Sequence, residues 1–470
     1  MQLLTYPRVE FDEKNIKKEL VVKLIREHEK QLPRFKKLKK YYLGEHDILN
    51  KQRSKNKPNY KPVCNHAKDI ADTSTGYFMG NTISYSNSED TDIDELLIAF
   101  DNAEVDESDH DNALDMAIYG VAYEYVYARE NENILDIKSL EVENTFIVYD
   151  DSIEQQPLFG VYYFKRKENK ADTETYQAVI MTKQFVYSIV LEGKEKGVIS
   201  DKPISHNMGD IPIIEYKNNK YSIGDFEQQI GLIDSYNSLT ANRINDKEQF
   251  IDSILVLYGA RLGDDEEESI KAMESLAEHK LLELHPEARA EYLSKTLNEN
   301  EVETLRNAVK QDIYTFSHIP NLTDENFAGN SSGVAMEFKL LGLEMITKIK
   351  QRYYVKGLKK RIKLFANYLG LTQIAIDANS IIPHFSRSLP KNLLEISQIV
   401  SNLDGKVSQE TLLSQIPFVE DPMSEIEKVN EEKQESIAQN QLLLTGGEHI
   451  HNTPVGDEVD EQEEQRVLGT

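Results

Sequence analysis

The sequence predicts a mixed α+β protein, mainly helical, and three observations predict it. Residues 334–369 hold Val334, Phe338, Leu341, Met345, Ile349, Tyr353, Leu358, Ile362, Phe365 and Leu369 near helical spacing without a proline. Such a helix would run roughly 50 Å at 1.5 Å per residue, well beyond the usual three or four turns. Residues 121–216 change character, with β-branched and aromatic runs at 122–127, 159–164 and 184–190 separated by polar turns such as Glu192-Gly193-Lys194. At 470 residues the chain exceeds one compact core and should divide into several units.

Each element follows from its own pattern. Residues 15–40 are expected to be helical, with Ile16, Leu20, Leu24 and Ile25 on one face and Pro33 interrupting. A polar, proline-marked loop covers 53–62, and a helix is expected over 65–78. Residues 84–94 read as a polar linker, and helical periodicity returns over 93–119. The β segment is expected to be antiparallel and closes at 210–216. A second long helix is predicted over 225–254, with Asp225 as N-cap and a polar face of Asn, Asp, Gln and Ser. A small α/β insert follows: strand 255–259, helix 266–279, strands 280–284 and 290–293. Asn298 and Glu301 have the spacing of a capping box for a helix over 302–316, which Pro320 ends. Residues 320–333 are a polar loop whose Gly, Asn and Ser permit several backbone geometries. Gly342 and Gly357 inside the long helix each cost roughly 1 kcal/mol relative to Ala, which points to a bend or close packing. Beyond it, 381–386 suits an edge strand, and 393–403, 408–415 and 422–444 suit helices. From 445 onward the composition is that of a disordered acidic tail.

Composition narrows the function classes. With 39% hydrophobic and 29% charged residues the chain can bury a core, and no run of about 18 apolar residues predicts a membrane span. The first residues, Met1 to Pro7, lack the pattern of a secretory signal. Cys64 is the single cysteine, which rules out an intrachain disulfide and fits a reducing place of synthesis. A net charge of −27 argues against a conventional DNA-gripping surface. Charge is uneven, however: 14–61 is basic around Lys36-Lys37-Leu38-Lys39-Lys40, and 348–363 is basic again. Asp264-Asp265-Glu266-Glu267-Glu268 and the sequence after Glu420 are acidic. An acidic excess suits either solubility or a channel lining along which a polyanion slides.

Candidate chemistry is sparse. No Gly-x-x-x-x-Gly-Lys-Ser/Thr phosphate loop occurs, so nucleotide hydrolysis is not expected. Cys64-Asn65-His66 lacks a second ligand pair, and His449 and His451 sit in the tail. The carboxylates of Asp106-Glu107-Ser108-Asp109-His110-Asp111 could be drawn as a nuclease metal site, against which a solvated helix face is the plainer account. The cations of 348–363 could grip phosphate; the alternative is an outward helix face that pairs with acidic neighbours across an interface. No catalytic residue, metal or cofactor is therefore expected.

One stretch has a family likeness. Residues 320–335, Pro-Asn-Leu-Thr-Asp-Glu-Asn-Phe-Ala-Gly-Asn-Ser-Ser-Gly-Val-Ala, run on to Lys339-Leu340-Leu341-Gly342-Leu343-Glu344. This resembles the segment before the long helix of phage portal proteins, in particular the siphovirus type from phages of Gram-positive bacteria. Segments 41–48, 76–83, 234–239 and 405–411 resemble the same family in the same order, so the likeness covers most of the chain. It implies a portal-type fold: a wing over 1–223, stem helices over 224–254 and 301–319, and a clip over 255–300. A tunnel loop over 320–333, the long wing helix 334–370, a strand or linker 371–390, crown helices 391–445 and the tail 446–470 complete it. It further implies a homo-oligomeric ring, usually dodecameric, at one capsid vertex of the virion, assembled in the bacterial host cytoplasm. Double-stranded DNA would pass through it, read without regard to sequence and with no membrane involved. Asn321, Thr323, Asp324, Glu325, Asn326, Asn330, Ser331 and Ser332 would face that DNA, and Lys339, Lys348, Lys350 and Arg352 would contact phosphates. Asp264, Asp265, Glu266, Glu267 and Glu268 would form a clip surface for partners. Those partners would be the terminase large subunit, a head-completion adaptor, and capsid and scaffolding proteins. The alternatives are a metal-dependent phage nuclease using the carboxylates of 106–111, or a head adaptor that encloses no channel.

Overall fold

The computed structural model describes residues 3–445 except 55–57, 90, 130–131, 133, 167–174, 193–195, 200–202, 252–253, 259–264, 280–287, 294–298, 322–332, 388–392, 417–418 and 420–421. The chain is mixed α and β with helix the larger share, and it divides into two units, Met1–Leu389 and Pro390–Thr470.

The first unit begins with β1 (Leu4–Tyr6), α1 (Lys18–Glu29) and α2 (Leu32–Tyr42). The helical region is interrupted as expected, between Glu29 and Leu32, and Pro33 lies in the first turn of α2, where its missing N–H has no partner to lose. α3 (His66–Met79) is capped by Asn65, whose side-chain oxygen accepts from the Lys68 N–H. β2 (Ser84–Asn87) lies inside the expected linker, because β14 (Ile381–His384), three hundred residues on, supplies its antiparallel partner. α4 (Asp94–Asn102) and α5 (Val105–Tyr119) are two helices where periodicity suggested one, separated at Glu104, which takes φ 50°.

The β segment holds two sheets. β3 (Val121–Ala128) sits between β4 (Leu135–Leu140) and β11 (Ile213–Lys217). The larger sheet contains β5 (Thr145–Asp150), β6 (Pro157–Arg166), β7 (Thr175–Met181), β8 (Phe185–Glu192), β9 (Lys196–Ile199) and β10 (Ile204–Ser205), with β1 at its edge. It is antiparallel as expected except for β1, which pairs with β5 in parallel. Gly120 makes the turn from α5 to β3 at φ 83°, and a Cβ there would collide with the backbone of Ser222.

α6 (Ile230–Ile251) follows a short 3-10 turn and starts five residues later than expected. Asp225 is not its N-cap, because its carboxylate turns instead to Lys350 and Asn218. β12 (Ile254–Tyr258) pairs antiparallel with β13 (Arg289–Leu293) around α7 (Glu266–His279), as the insert pattern predicted. The expected strand 280–284 and the Asn298 cap lie outside the described residues. α8 (Glu299–Ser317) and α9 (Gly333–Leu369) complete the unit. In the second unit, α10 (Leu393–Leu403), α11 (Gln409–Leu413, capped by Ser408) and α12 (Pro422–Thr445) match the three expected helices. The tail 446–470 is outside the described residues.

Three apolar clusters hold the first unit. α1 lays Val21, Leu24 and Ile25 on Phe146, Val148, Phe159, Val161 and Ile180 of the large sheet. A second cluster joins α2, α3, α5, α6 and α8 through Phe35, Ile70, Ala117, Ile233 and Ile313. The third seats the C-terminal half of α9, with Tyr354, Leu358, Ile362 and Phe365, against Phe100, Met116, Val126 and Tyr216.

Candidate functional site

α9 carries the four cations of the expected site, and its faces differ from the predicted stripe. Phe338, Leu341, Met345 and Ile349 point outward, 72%, 51%, 61% and 47% exposed. The inward face at this end is Leu340, Leu343, Thr347, Lys350 and Tyr354. Both sets repeat at three and four residues and lie on opposite sides of the helix. The predicted stripe followed the outward set to Ile349 and crossed to the inward set at the five-residue step from Tyr353 to Leu358.

The same geometry sorts the cations. Lys350 is 4% exposed, and its ammonium pairs with Asp225 and donates to Ser74. It is an internal strut, where the expectation had an exposed cation. Lys348 is exposed, 3.6 Å from Glu344, and Arg352 is exposed one turn on. Lys339 is half-buried and engaged with neighbouring groups.

Arg361, expected on an outward face, is fully buried instead. Its guanidinium donates to Asp109 Oδ1 at 2.6 Å and to both carboxylate oxygens of Glu124, with Nε to Oε1 at 2.9 Å. Tyr354 donates to the same Asp109 oxygen at 2.5 Å, and Asn112 to Glu124 Oε2 at 2.9 Å. The two carboxylates hold the guanidinium well above its usual range against the opposing effect of burial. Lys360 beside it donates to the Ile213 carbonyl at 2.8 Å, and burial pulls its ammonium down to about 8. One signal in the sequence could have found Arg361: it falls at helical spacing with Tyr354, Leu358 and Phe365, on the apolar side.

This cluster disposes of the 106–111 carboxylates as a metal site. Asp109 points into the core while Asp106, Glu107 and Asp111 are exposed, so the group does not converge. Among the described residues no three His, Cys, Asp or Glu side chains are placed to hold a metal ion, and no helix is long and apolar enough to cross a membrane. Cys64 is half-buried; Asn65 caps α3, and His66 meets the Tyr314 hydroxyl at 3.3 Å.

The Asn-rich face of α6 is used within the chain. Asn237 accepts from the Cys64 N–H and donates to His46 Nδ1 at 2.8 Å, Asn242 accepts from Arg53, and Asn245 bonds both backbone groups of Tyr60. These amides tie His46, Arg53, Tyr60 and Cys64 to the helix, satisfying backbone groups of Tyr60 and Cys64 that no strand pairs.

At the start of α7, Asp265 accepts from the Glu268 N–H at 2.8 Å and caps the helix. Glu266, Glu267 and Glu268 follow it in the first turn, exposed, where the helix dipole favours negative charge. Asp264 lies outside the described residues. Of the expected loop, Asn321 is half-buried at the foot of α8, in a cavity of about 470 Å³ shared with Lys310, Gln311 and Tyr314. Thr323, Asp324, Glu325, Asn326, Asn330, Ser331 and Ser332 lie outside the described residues.

Comparison with known proteins agrees with the family likeness. Residues 22–439 match the family model described as phage portal protein, SPP1 Gp6-like. The portal protein of Bacillus phage SPP1 is 25% identical over 446 residues, covering 88% of this chain and 86% of that protein. The portal protein of Clostridium phage phiCD119 is 23% identical over 322 residues, covering 66% and 69%. Among solved structures, a chain from the neck of a native GTA particle, computed with C12 symmetry, aligns at TM-score 0.47 with 10% identity, over 76% of this chain and 91% of that one.

Proposed function

The chain belongs to the phage portal proteins of the SPP1 Gp6-like family, and from that premise we propose that its copies close into a ring at one capsid vertex. Through that ring double-stranded DNA enters under the terminase motor and later leaves, and head-completion proteins attach to it. The observation that supports the ring most directly is the outward stripe Phe338, Leu341, Met345 and Ile349, four large apolar side chains in line on one helix. A single chain leaves them in water; a neighbour around a rotation axis would cover them. Such head-to-tail contacts generate rings when the rotation closes.

In this reading residues 1–223 and α9 form the wing, and α6 and α8 form the stem. The β12–α7–β13 insert is the clip, and α10 to α12 are the crown. The polar loop 320–333 faces the duplex through Asn321 and the residues after it, with the exposed Lys348 and Arg352 of α9 approaching phosphate. Sequence-independent passage needs weak polar contacts and no base readout. Glu266, Glu267 and Glu268 present charge at the clip tip, where terminase and adaptor would dock. No bond is broken by this chain in that process.

Complementation tests the function. A phage lacking its own portal gene, supplied with this chain in its natural host, should yield DNA-filled heads. A variant with Asn330, Ser331 and Ser332 replaced by proline should assemble rings and give empty heads. Filled heads at normal yield from the proline variant would remove the loop from the DNA path.

A further inference from the structure

The outward face of α9 changes character along its length. Its first half is the apolar stripe. From Lys348 on, the same face carries Lys348, Arg352, Lys356, Lys359 and Lys363, all exposed and spaced at three and four residues. Lys348 lies 3.6 Å from Glu344, and Lys363 lies 3.2 Å from Asp210. Lys356 and Lys359 meet no carboxylate among the described residues.

A match for this basic half stands on the other side of the same layer. Residues 69–128 hold fifteen Asp and Glu and no Lys or Arg, so carboxylates exposed there find no cation in their own segment. α4 lies within it. Asp94, Leu97, Ile98 and Asp101 recur at three and four residues, share one face of α4 and are all exposed. Leu97 and Ile98 are 37% and 55% exposed, an aliphatic pair between two carboxylates, with Glu95 exposed beside them. Arg129 reaches the end of α4, where it donates to the Asn102 carbonyl at 3.4 Å, but Asp136 holds its guanidinium at 2.9 Å.

The two faces point in opposite directions. Leu96 and Phe100 of α4 share a cluster with Leu358, Ile362 and Phe365 of α9, and the Phe100 and Phe365 rings are 4.9 Å apart. On each helix those residues lie opposite the exposed face, so α4 and α9 stand back to back. Rotation leaves height along its axis unchanged, so surfaces that meet around a ring stand at one level in every chain. Lys356 and Lys359 are within about 14 Å of Phe365 along α9, and α4 is therefore at their level. α7 also presents acids with exposed Ile270 and Met273, but it belongs to the insert between α6 and α8 and pairs Glu267 with its own Lys271.

We infer that the exposed face of α4 in one copy seats on the basic half of α9 in the next. Asp94 and Asp101 pair with Lys356 and Lys359, and Leu97 and Ile98 lie along the lysine stems. This rests on the ring reading and names the two surfaces that meet. The contact is heterologous, as ring closure requires.

Cross-linking tests it on the full chain. In a Cys64→Ser background, Ile98→Cys with Lys359→Cys and a short bis-maleimide should give a ladder of linked multimers, while either cysteine alone gives none. Within one chain the two positions face apart, so the reagent does not bridge them. Lys356→Glu with Lys359→Glu should lower ring yield about tenfold at low salt, and adding Asp94→Lys with Asp101→Lys should restore it. All four side chains are exposed, and an unchanged melting temperature of the dissociated chain shows that folding is intact. Rings with no ladder, or a ladder that forms only when Met273→Cys replaces Ile98→Cys, would overturn the contact and leave the ring standing. Rings at normal yield from the Lys356→Glu, Lys359→Glu protein, in heads without DNA, would assign these cations to phosphate and overturn it as well. A parent protein that forms no ring would overturn the ring itself, and the contact with it.

Discussion

Arg361 decides more of the interior than any other side chain. It joins α9 to α5 through Asp109 and to β3 through Glu124, all out of water. Replacing Arg361 with Met leaves two buried carboxylates without a counter-charge, so the expected cost is about 3–5 kcal/mol, read by urea unfolding. Arg361→Lys should recover little, because an ammonium cannot make the forked contact to Glu124. Gly357 gives a second test. Its Cα packs on the buried Tyr216 ring, and an added Cβ would overlap that ring. Gly357→Ala should therefore destabilise, although Ala is the better helix former by roughly 1 kcal/mol. His28 sets a pH dependence. It is buried between α1 and the sheet, 2.9 Å from the Tyr163 hydroxyl, and burial lowers its pKa from 6.5 to about 4. The fold holds it neutral, so its contribution is complete above pH 6.5 and falls away as the pH drops toward 4. The loss is at most about 3 kcal/mol. Unfolding followed between pH 7 and 4 should be steeper for the parent protein than for His28→Gln.

At the scale of elements, what the sequence made legible was whatever one segment decides alone. α7, α10 and the limits of α9 were readable because periodicity and breakers lie within the segment. β2 was not, since Ser84–Asn87 is a strand only because Ile381–His384 lies beside it. The faces of α9 were ambiguous for a definite reason: the helix carries apolar residues on both sides, and spacing alone cannot rank two stripes. Of the expected site, Lys348 and Arg352 are exposed, whereas Lys350 turns inward to pair with Asp225. The two stripes predict opposite phenotypes. Met345→Asp on the outward side should change the stability of the isolated chain by no more than about 0.5 kcal/mol. It should also abolish higher assembly in mass photometry. Leu343→Ala on the inward side, 1% exposed, should cost about 2–5 kcal/mol in unfolding.

For the whole molecule, charge and exposure fit together. An excess of 27 negative charges on each chain opposes association, so a ring needs apolar cover and local charge pairing to outweigh it. The outward stripe of α9 offers the first. Assembly should therefore respond to salt in a graded way. Moderate salt screens the general repulsion and helps, and the benefit should vanish in a variant whose stripe is made polar. Nothing in this account asks the chain for chemistry; it asks for many copies around one axis. Electron microscopy of the purified protein viewed down that axis tests this most directly. The account predicts annular particles of uniform subunit number with an opening that admits a DNA duplex. Single chains or non-annular clusters at every protein concentration tried contradict it.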